Sequence, residues 1–370
     1  MKVAFDHRIF SMQRFGGVSR YFFELASRLP SETATDVSVV APLYINNYLS
    51  RDSARRFSHG KYVPYDIVGL PHIVGLANRI ASPFAWWGLN ADIVHETYFN
   101  MVPVGRGRRR VVTVYDMIHE LFVPSGHSLT AARRAAATAA KRAAVNRADH
   151  VICISETTRR DLIRLYDIDP SRTSVVHLGY SLTSDFNEMP VQSKGRRPSL
   201  LYVGNRKGYK NFETLLQAFS SSRVLREFEL IAFGGHPPLP EELAEIKRLG
   251  ISDRVEFKSG SDQVLAGHYR TADAFVYPSK YEGFGIPPLE AMSYGCPVVC
   301  SSGGAIPEVV GDAGLYFDPD NPEELRATLE HLVTNERLQA DLQVRGHLRI
   351  AAFSWSRCAE ATAQIYREIL

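Results

Sequence analysis

Twice along its 370 residues the chain runs through the same rhythm, a short apolar run rich in Val, Ile and Phe followed by a longer stretch with helical spacing. Runs of that length fit strands buried on both faces, and the intervening stretches fit helices that cover them, so the pattern predicts parallel sheets built from α/β units. Strands are expected at 2–5, 36–41, 92–95, 110–115, 150–154 and 173–177, and again at 199–203, 229–233, 255–257, 274–277, 297–300 and 314–317. Helices are expected at 18–29 and 129–147 in the first half, and at 211–220, 240–249, 262–271, 288–294, 322–334 and 336–352 in the second. Between the two series lies NEMPVQSKGRRP (187–198), a polar segment with proline and glycine that reads as a linker. The expectation is therefore an α/β chain of two Rossmann-like domains, 1–190 and 191–352, with a last helix at 353–370 that returns to the first domain.

Composition narrows the class. With 45% hydrophobic and 22% charged residues the chain suits a globular protein and not a disordered one. A net charge of +3 is too small for a protein built to coat nucleic acid, and no nucleic-acid partner is expected. The charge is uneven: residues 1–190 hold 23 Lys and Arg against 17 Asp and Glu, whereas the rest hold 20 against 23. The stretch 100–165 alone has 12 basic residues against 5 acidic ones. Such a face suits peripheral contact with an anionic membrane, with Trp86-Trp87 at the interface; a solvated helix face suits it equally. The four cysteines are too few and too scattered for a disulfide framework, and Cys153 lies inside one apolar run while Cys296 and Cys300 flank another, which reads as buried thiols in a reducing compartment. No signal peptide is visible, and the most apolar stretch, 67–91, is broken by Pro71, Arg79 and Pro83, so a cytoplasmic protein, peripheral at the inner face of the cell membrane, is expected.

Three segments carry chemistry. After the first strand, Gly16-Gly17 opens a helix at a β–α loop, where backbone N–H groups can approach a phosphate or sugar; a plain turn fits as well. The spacing is not GxGxxG, so a nicotinamide fingerprint is unsupported. The second series opens with a strand that delivers Gly204-Asn205-Arg206-Lys207-Gly208-Tyr209-Lys210-Asn211 to the carboxyl edge of its sheet, where open α/β sheets bind ligands. Three cations on one short loop suit a diphosphate. Finally, YPSKYEGFGIPPLEAM (277–292) runs from strand through loop into helix, with Glu282 in the loop and Glu290 in the first helical turn. Two carboxylates at that edge can accept hydrogen bonds from vicinal hydroxyls, one set on a sugar and one on a ribose, while Gly283 and Gly285 leave backbone N–H groups accessible.

On these motifs the chain resembles the large family of retaining, nucleotide-sugar-dependent glycosyltransferases of the GT-B fold (group 1, GT4). The matching residues are Gly16-Gly17, the Arg206…Lys210-Asn211 loop, Glu282 and Glu290 in the E-x7-E signature, and the flanking segments ADAFVYPS (272–279) and GGAIPEV (303–309). Within the family it is most similar to bacterial mannosyltransferases of surface-polysaccharide biosynthesis. The resemblance implies two Rossmann-like domains facing each other across a cleft. It also implies a metal-independent hexosyltransferase with no cofactor beyond its nucleotide-sugar donor, GDP-mannose by subfamily, and a glycan or polyprenyl-linked oligosaccharide as acceptor. Arg206 and Lys210 would bind the donor diphosphate and stabilise the leaving group. Glu282 would hold the transferred sugar, Asn205, Gly283, Phe284 and Gly285 would add donor contacts, Glu290 would bind the ribose, and Gly16 and Gly17 would line the donor from the first domain.

One position departs from the family. Where a histidine commonly follows the strand at 111–114, this chain has Tyr115-Asp116, with His119 three residues on. Asp116 or His119 would take that catalytic role, or the site would only position the acceptor; His95 is a weaker candidate. The tripeptides Asp318-Pro319-Asp320 and Asp167-Ile168-Asp169 match the D-x-D pattern of metal-dependent transferases, but the former precedes a helix and reads as a cap. A rhamnosyl- or glucosyltransferase using a dTDP- or UDP-sugar is the near alternative; a sugar-nucleotide epimerase or a non-catalytic nucleotide-sugar binder is the distant one.

Overall fold

The computed structural model describes residues 1–65, 67, 69–122, 129–180, 197–206 and 208–370. The segment read as a linker, 187–198, lies outside the described residues except for its last two positions, and so does Lys207. The chain divides into two compact units, one of residues Met1–Gly179 with Ser354–Leu370, the other of Tyr180–Phe353.

In the first unit β1 (Lys2–Asp6) and β2 (Asp36–Val40) are followed by a short parallel pair, β3 (Leu43–Tyr44) with β4 (Lys61–Tyr62), and then by β5 (Ala91–Glu96), β6 (Gly107–Val114), β7 (His150–Cys153) and β8 (Thr173–Val175). The main sheet has six parallel strands in the order β2-β1-β5-β6-β7-β8. The order reverses between β1 and β5, the kind of switch point at which loops diverge and leave space for a ligand. The sheet is buried on both faces: Phe5, Ile93, Val112, Val114 and Ile152 have no measurable solvent contact. Helices Gly17–Thr33 and Trp355–Ile369 pack together against one face, so the chain's final helix belongs to this unit. Tyr366 from that final helix and Thr113 from β6 both hydrogen-bond His95, at 2.5 and 2.8 Å. His95 is therefore part of the core and not of a ligand-binding edge, and burial lowers its pKa to about 3.

The second unit holds β9 (Ser199–Val203), β10 (Glu229–Phe233), β11 (Val255–Lys258), β12 (Ala274–Tyr277), β13 (Val298–Ser301) and β14 (Gly314–Phe317), again all parallel, in the order β11-β10-β9-β12-β13-β14. Its switch point falls between β9 and β12, the strands that feed the two motif loops. Leu200, Leu230, Ala274, Val276 and Val299 pack with Leu215, Phe219, Leu325 and Leu329 of the covering helices to form one apolar core.

Eleven of the twelve strands of the two six-stranded sheets lie within about two residues of the sequence expectations, β6 starts three residues before its expected position, and the short pair β3 and β4 is not among those expectations. A helix spans Leu70–Ala85 where the sequence suggests only a broken apolar run, and another spans Glu156–Tyr166. The helix expected from 288 begins at Ile286, with Pro287 and Pro288 in its first turn, which puts Glu290 two residues deeper than expected, past the first turn. Asn321, not Asp318 or Asp320, caps the helix Pro322–Val333 by accepting from the Glu324 N–H, while Asp318 only closes its own turn onto the Asp320 N–H at 2.9 Å. Asp167 ends the helix Glu156–Tyr166 in a left-handed conformation (φ 55°).

Candidate active site

In the second unit the carboxyl ends of β9 and β12 bring the two predicted motifs together. The Lys210 ammonium donates to Glu282 Oε1 at 2.7 Å, with both side chains largely buried. The Tyr277 hydroxyl, at the end of β12, is a further hydrogen-bond partner of the Glu282 carboxylate; that contact, together with burial as the larger cause, pushes the phenol well above its ordinary pKa. The rings of Tyr209 and Tyr277 lie 5.2 and 5.5 Å from the Lys210 nitrogen, within cation–π range. A carboxylate and an ammonium are thus held side by side in a semi-apolar pocket of tyrosines, where their charges are poorly screened.

Two devices fix this pair. Asn211, in the left-handed region at φ 59°, donates through its side-chain amide to the carbonyls of Pro278 and Pro319 at 3.0 and 2.7 Å, tying the β9 loop to the loops after β12 and β14. The second device is close approach: at Gly304 a Cβ would lie 2.5 Å from both the backbone N and O of Glu282, and the Ala305 N–H donates to the Glu282 carbonyl at 2.9 Å. Gly304 is therefore needed to seat Glu282, and Gly303, whose Cβ would collide with the Lys280 carbonyl oxygen, to pass the loop just before it.

Arg206 behaves differently from the expectation of an available cation. Its side chain is only 1% exposed. Its guanidinium donates to Glu242 at 3.2 Å, to the Gly234 carbonyl at 2.8 Å and to the His236 carbonyl, and it lies 4.8 Å from the Phe257 ring. Glu242 also accepts from the Leu239 N–H at 2.7 Å, so it closes a helix start and neutralises Arg206 together. Sequence reasoning missed Glu242 and His236; the helix expected at 240–249 gave no hint that its third residue pairs with Arg206. Asn205 is exposed at the tip of the turn, and its carbonyl accepts from the Tyr202 hydroxyl. Glu290 is half-buried and accepts from the Tyr269 hydroxyl at 3.2 Å. Gly283 and Gly285 are buried, and Phe284 sets its ring edge against Phe353.

In the first unit the carboxyl ends of β1, β5 and β6 present Asp6, Thr97 and Asp116. The Asp6 carboxylate is fully buried and accepts from the Thr97 hydroxyl at 2.6 Å and the Arg8 N–H at 2.7 Å; burial outweighs these bonds and raises its pKa. Asp116 accepts from the Ile118 N–H at 3.0 Å, and Lys141 donates to the Asp116 carbonyl and to Glu120, both at 2.9 Å. Asp116 and the exposed His119 share a pocket of about 310 Å³ with Arg8, Tyr98, Tyr115 and Val18, the residue after Gly17. The Tyr115 hydroxyl is buried there with no hydrogen-bond partner among the described residues. Gly16 and Gly17 form the N-terminus of the helix Gly17–Thr33, as the β–α loop predicted, and a Cβ on Gly17 would meet nothing within 4 Å.

The basic stretch 100–165 is less cationic at its surface than its count suggests. Arg110 and Arg147 both turn onto the buried Glu96, at 2.6 and 2.5 Å, and Lys141 is buried against Glu120. Trp86 and Trp87 do not act as a pair: Trp86 is buried and Trp87 is 87% exposed.

Comparison with known proteins matches both halves of the chain to sugar-transferring families. Residues 15–184 match the family described as Glycosyltransferase Family 4, and residues 184–349 match Glycosyl transferases group 1. O-antigen chain mannosyltransferase B of Escherichia coli is 32% identical over 228 residues, which are 59% of this chain and 60% of that protein, so the match spans less than two thirds of the relative's length. D-inositol 3-phosphate glycosyltransferase of Thermobispora bispora is 28% identical over 96% of this chain and 90% of its own. Among solved structures, WaaG, a glycosyltransferase involved in lipopolysaccharide biosynthesis, superposes with a TM-score of 0.70 at 20% identity, covering 98% of this chain and 99% of its own; at that identity the likeness shows the fold. Two six-stranded parallel sheets of GT-B type, and two family matches that together run from residue 15 to 349, lead to one assignment: the chain belongs to the group 1, family 4 glycosyltransferases.

Proposed function

We propose that the protein transfers a hexose from a nucleotide-activated donor to a hydroxyl of a glycan or lipid-linked oligosaccharide, with retention of anomeric configuration. The Lys210–Glu282 contact at 2.7 Å carries this reading. The bond that breaks joins the anomeric carbon to a phosphate oxygen, so a carboxylate that holds sugar hydroxyls and an ammonium that meets the departing diphosphate have to be neighbours. Lys210 supplies the charge that stabilises the leaving group, and Arg206, neutralised by Glu242, braces the turn that presents it. Glu282 holds the transferred sugar, with backbone contacts from Gly283, Phe284 and Gly285; Glu290 accepts from the ribose, and Asn205 faces the donor at the turn. In the first unit Gly16 and Gly17 complete the donor contacts, and Asp116 or His119 orients the acceptor hydroxyl. As the acceptor oxygen bonds to the anomeric carbon, its proton passes to the departing phosphate oxygen on the same face, so no protein nucleophile is required.

Mannose from GDP-mannose is the leading donor, supported by the mannosyltransferase name of the Escherichia coli relative; a dTDP- or UDP-sugar is the alternative. Incubation with a panel of nucleotide sugars, read by nucleotide release with and without a glycan acceptor, tests both donor and activity. Release from GDP-mannose above the others is expected, and release from none of them would leave a binding protein in place of an enzyme.

A further inference from the structure

The helix Leu70–Ala85 is inside out. Its inward stripe is Leu70, Val74, Asn78 and Ser82, and half of that stripe is polar. Asn78 is fully buried, donating to the Ser11 hydroxyl at 2.8 Å and the Leu43 carbonyl at 2.7 Å and accepting from the Leu43 N–H at 3.0 Å. The outward stripe is Ile73, Leu76, Ile80, Phe84 and Trp87, a run at heptad-like spacing in which every residue is more than 60% exposed. Folding thus satisfies the helix through polar contacts and leaves its better apolar face in water. Met101 and Val102 are exposed beside it, and Trp87, Met101 and Val102 line one wide groove of about 1290 Å³. An apolar surface of this extent on one element marks an interaction site.

Charge selects the occupant. Among the described residues no Asp or Glu lines the groove, whereas Arg79 and Arg106 do, both exposed and neither in an ion pair; Arg110, deeper in, is spent on Glu96. The neighbouring pocket, shared with His72 and Leu76, likewise has no carboxylate among its described lining residues. From residue 67 to 91 the chain contains no acidic residue at all. A second copy of the same face would offer these arginines no carboxylate among the described lining residues, whereas an anionic surface offers them counter-charge. No helix among the described residues is long and apolar enough to cross a membrane. Apolar side chains flanked by unpaired arginines match the boundary between acyl chains and anionic headgroups, with Trp87 at headgroup depth.

We propose that the helix Leu70–Ala85, with Trp87, Met101 and Val102, is the face on which the protein sits on an anionic bilayer. The inference is independent of the donor assignment, because it is read by binding and not by turnover. The test is co-sedimentation of the full chain with phosphatidylcholine vesicles, with and without about 30 mol % phosphatidylglycerol, across a salt series. Trp86 and Trp355 are buried, so an emission blue-shift on binding reports Trp87. Binding to the anionic vesicles is expected, with a blue-shift that disappears in Trp87→Phe. Arg79→Ala and Arg106→Ala should each weaken partitioning about fivefold, and the double variant Ile80→Glu/Phe84→Glu should abolish it while keeping the thermal midpoint, since both side chains are exposed. Equal binding to neutral and anionic vesicles, a blue-shift retained in Trp87→Phe, or no binding at all would overturn the proposal. So would a dimer in solution that Ile80→Glu dissociates, because the stripe would then be covered by a second copy.

Discussion

Breaking the Lys210–Glu282 pair from either side separates its structural from its chemical contribution. The contact is 2.7 Å long, and the two side chains are 17% and 10% exposed. A fully buried pair costs about 3–5 kcal/mol when one partner is lost, and an exposed one about 0–1 kcal/mol. This pair sits at a sheet edge between those limits, so about 2 kcal/mol is expected for Lys210→Ala or Glu282→Gln. Tyr277 softens the second change, since an amide oxygen can still accept from its hydroxyl. In a unit running from residue 180 to 353, that cost lowers the midpoint of thermal unfolding by about 4–8 °C. Turnover should fall much further, by about 10²–10³, because in the proposed function the lost interactions are those made with the departing diphosphate and the transferred sugar. The assay is a double-mutant cycle in which unfolding and nucleotide release are measured on each variant. In stability the double variant should cost less than the sum of the singles by about 1–2 kcal/mol, since removing both charges leaves neither stranded. A folded Glu282→Gln protein with near-normal release refutes the site. Additive stability effects refute the coupling.

Three further outcomes rest on other features. Gly304→Ala, with φ at 61° and a Cβ 2.5 Å from the Glu282 backbone, should cost about 2–4 kcal/mol and abolish nucleotide release, whereas Gly208→Ala, at φ 60° with open space around it, should cost about 1 kcal/mol; equal losses in chemical denaturation would mean that the close approach does not matter. Burial lowers the pKa of His95 to about 3 and of His7 to about 4, so each stays neutral in the folded state while the unfolded chain takes up a proton below about pH 6.5. Stability is therefore full above that pH and is lost as pH falls, by about 2 kcal/mol per histidine at pH 5; a His95→Asn variant with an unchanged slope of stability against pH would contradict this. Lys141 and Glu120 are 3% and 6% exposed, so Lys141→Ala should cost about 3–5 kcal/mol and Lys141→Met with Glu120→Leu much less; calorimetry showing the double replacement to be the worse one would refute the assignment of the cost to a stranded charge.

The sheet strands were legible because a parallel strand buried on both faces has to be a continuous apolar run, and runs such as 150–153 and 298–301 have few other uses in a globular chain. The motif residues were legible for a related reason: Lys210, Glu282 and Gly304 each lie within about eight residues of a strand end, so the topology alone carries them to one edge. The helix Leu70–Ala85 was not legible, because its apolar stripe points outward and its buried stripe contains Asn78 and Ser82, the reverse of the amphipathic pattern that identifies a covering helix. Nor was the burial of Arg206. Its neutralising carboxylate is 36 residues away on a helix whose start explains that glutamate without any partner.

That last discrepancy bears on how the proposed donor edge would work. A loop with three cations reads as a surplus of positive charge waiting for a diphosphate, yet Arg206 is compensated by Glu242 and Lys210 by Glu282. The two compensations are not equivalent. Arg206 also donates to the carbonyls of Gly234 and His236, so releasing it would strand buried acceptors as well as a carboxylate. Lys210 has one carboxylate, and a donor would offer that carboxylate hydroxyls in exchange while offering the ammonium a phosphate. Exchange at Lys210 therefore conserves hydrogen bonds and charge on both sides, whereas exchange at Arg206 would not. Arg206→Lys should accordingly lower the thermal midpoint, by losing the forked contacts to Glu242 and the carbonyls, and Lys210→Arg should lower turnover with little change in stability. The opposite pattern, with stability lost at 210 and turnover alone at 206, would reassign the phosphate contact to the guanidinium.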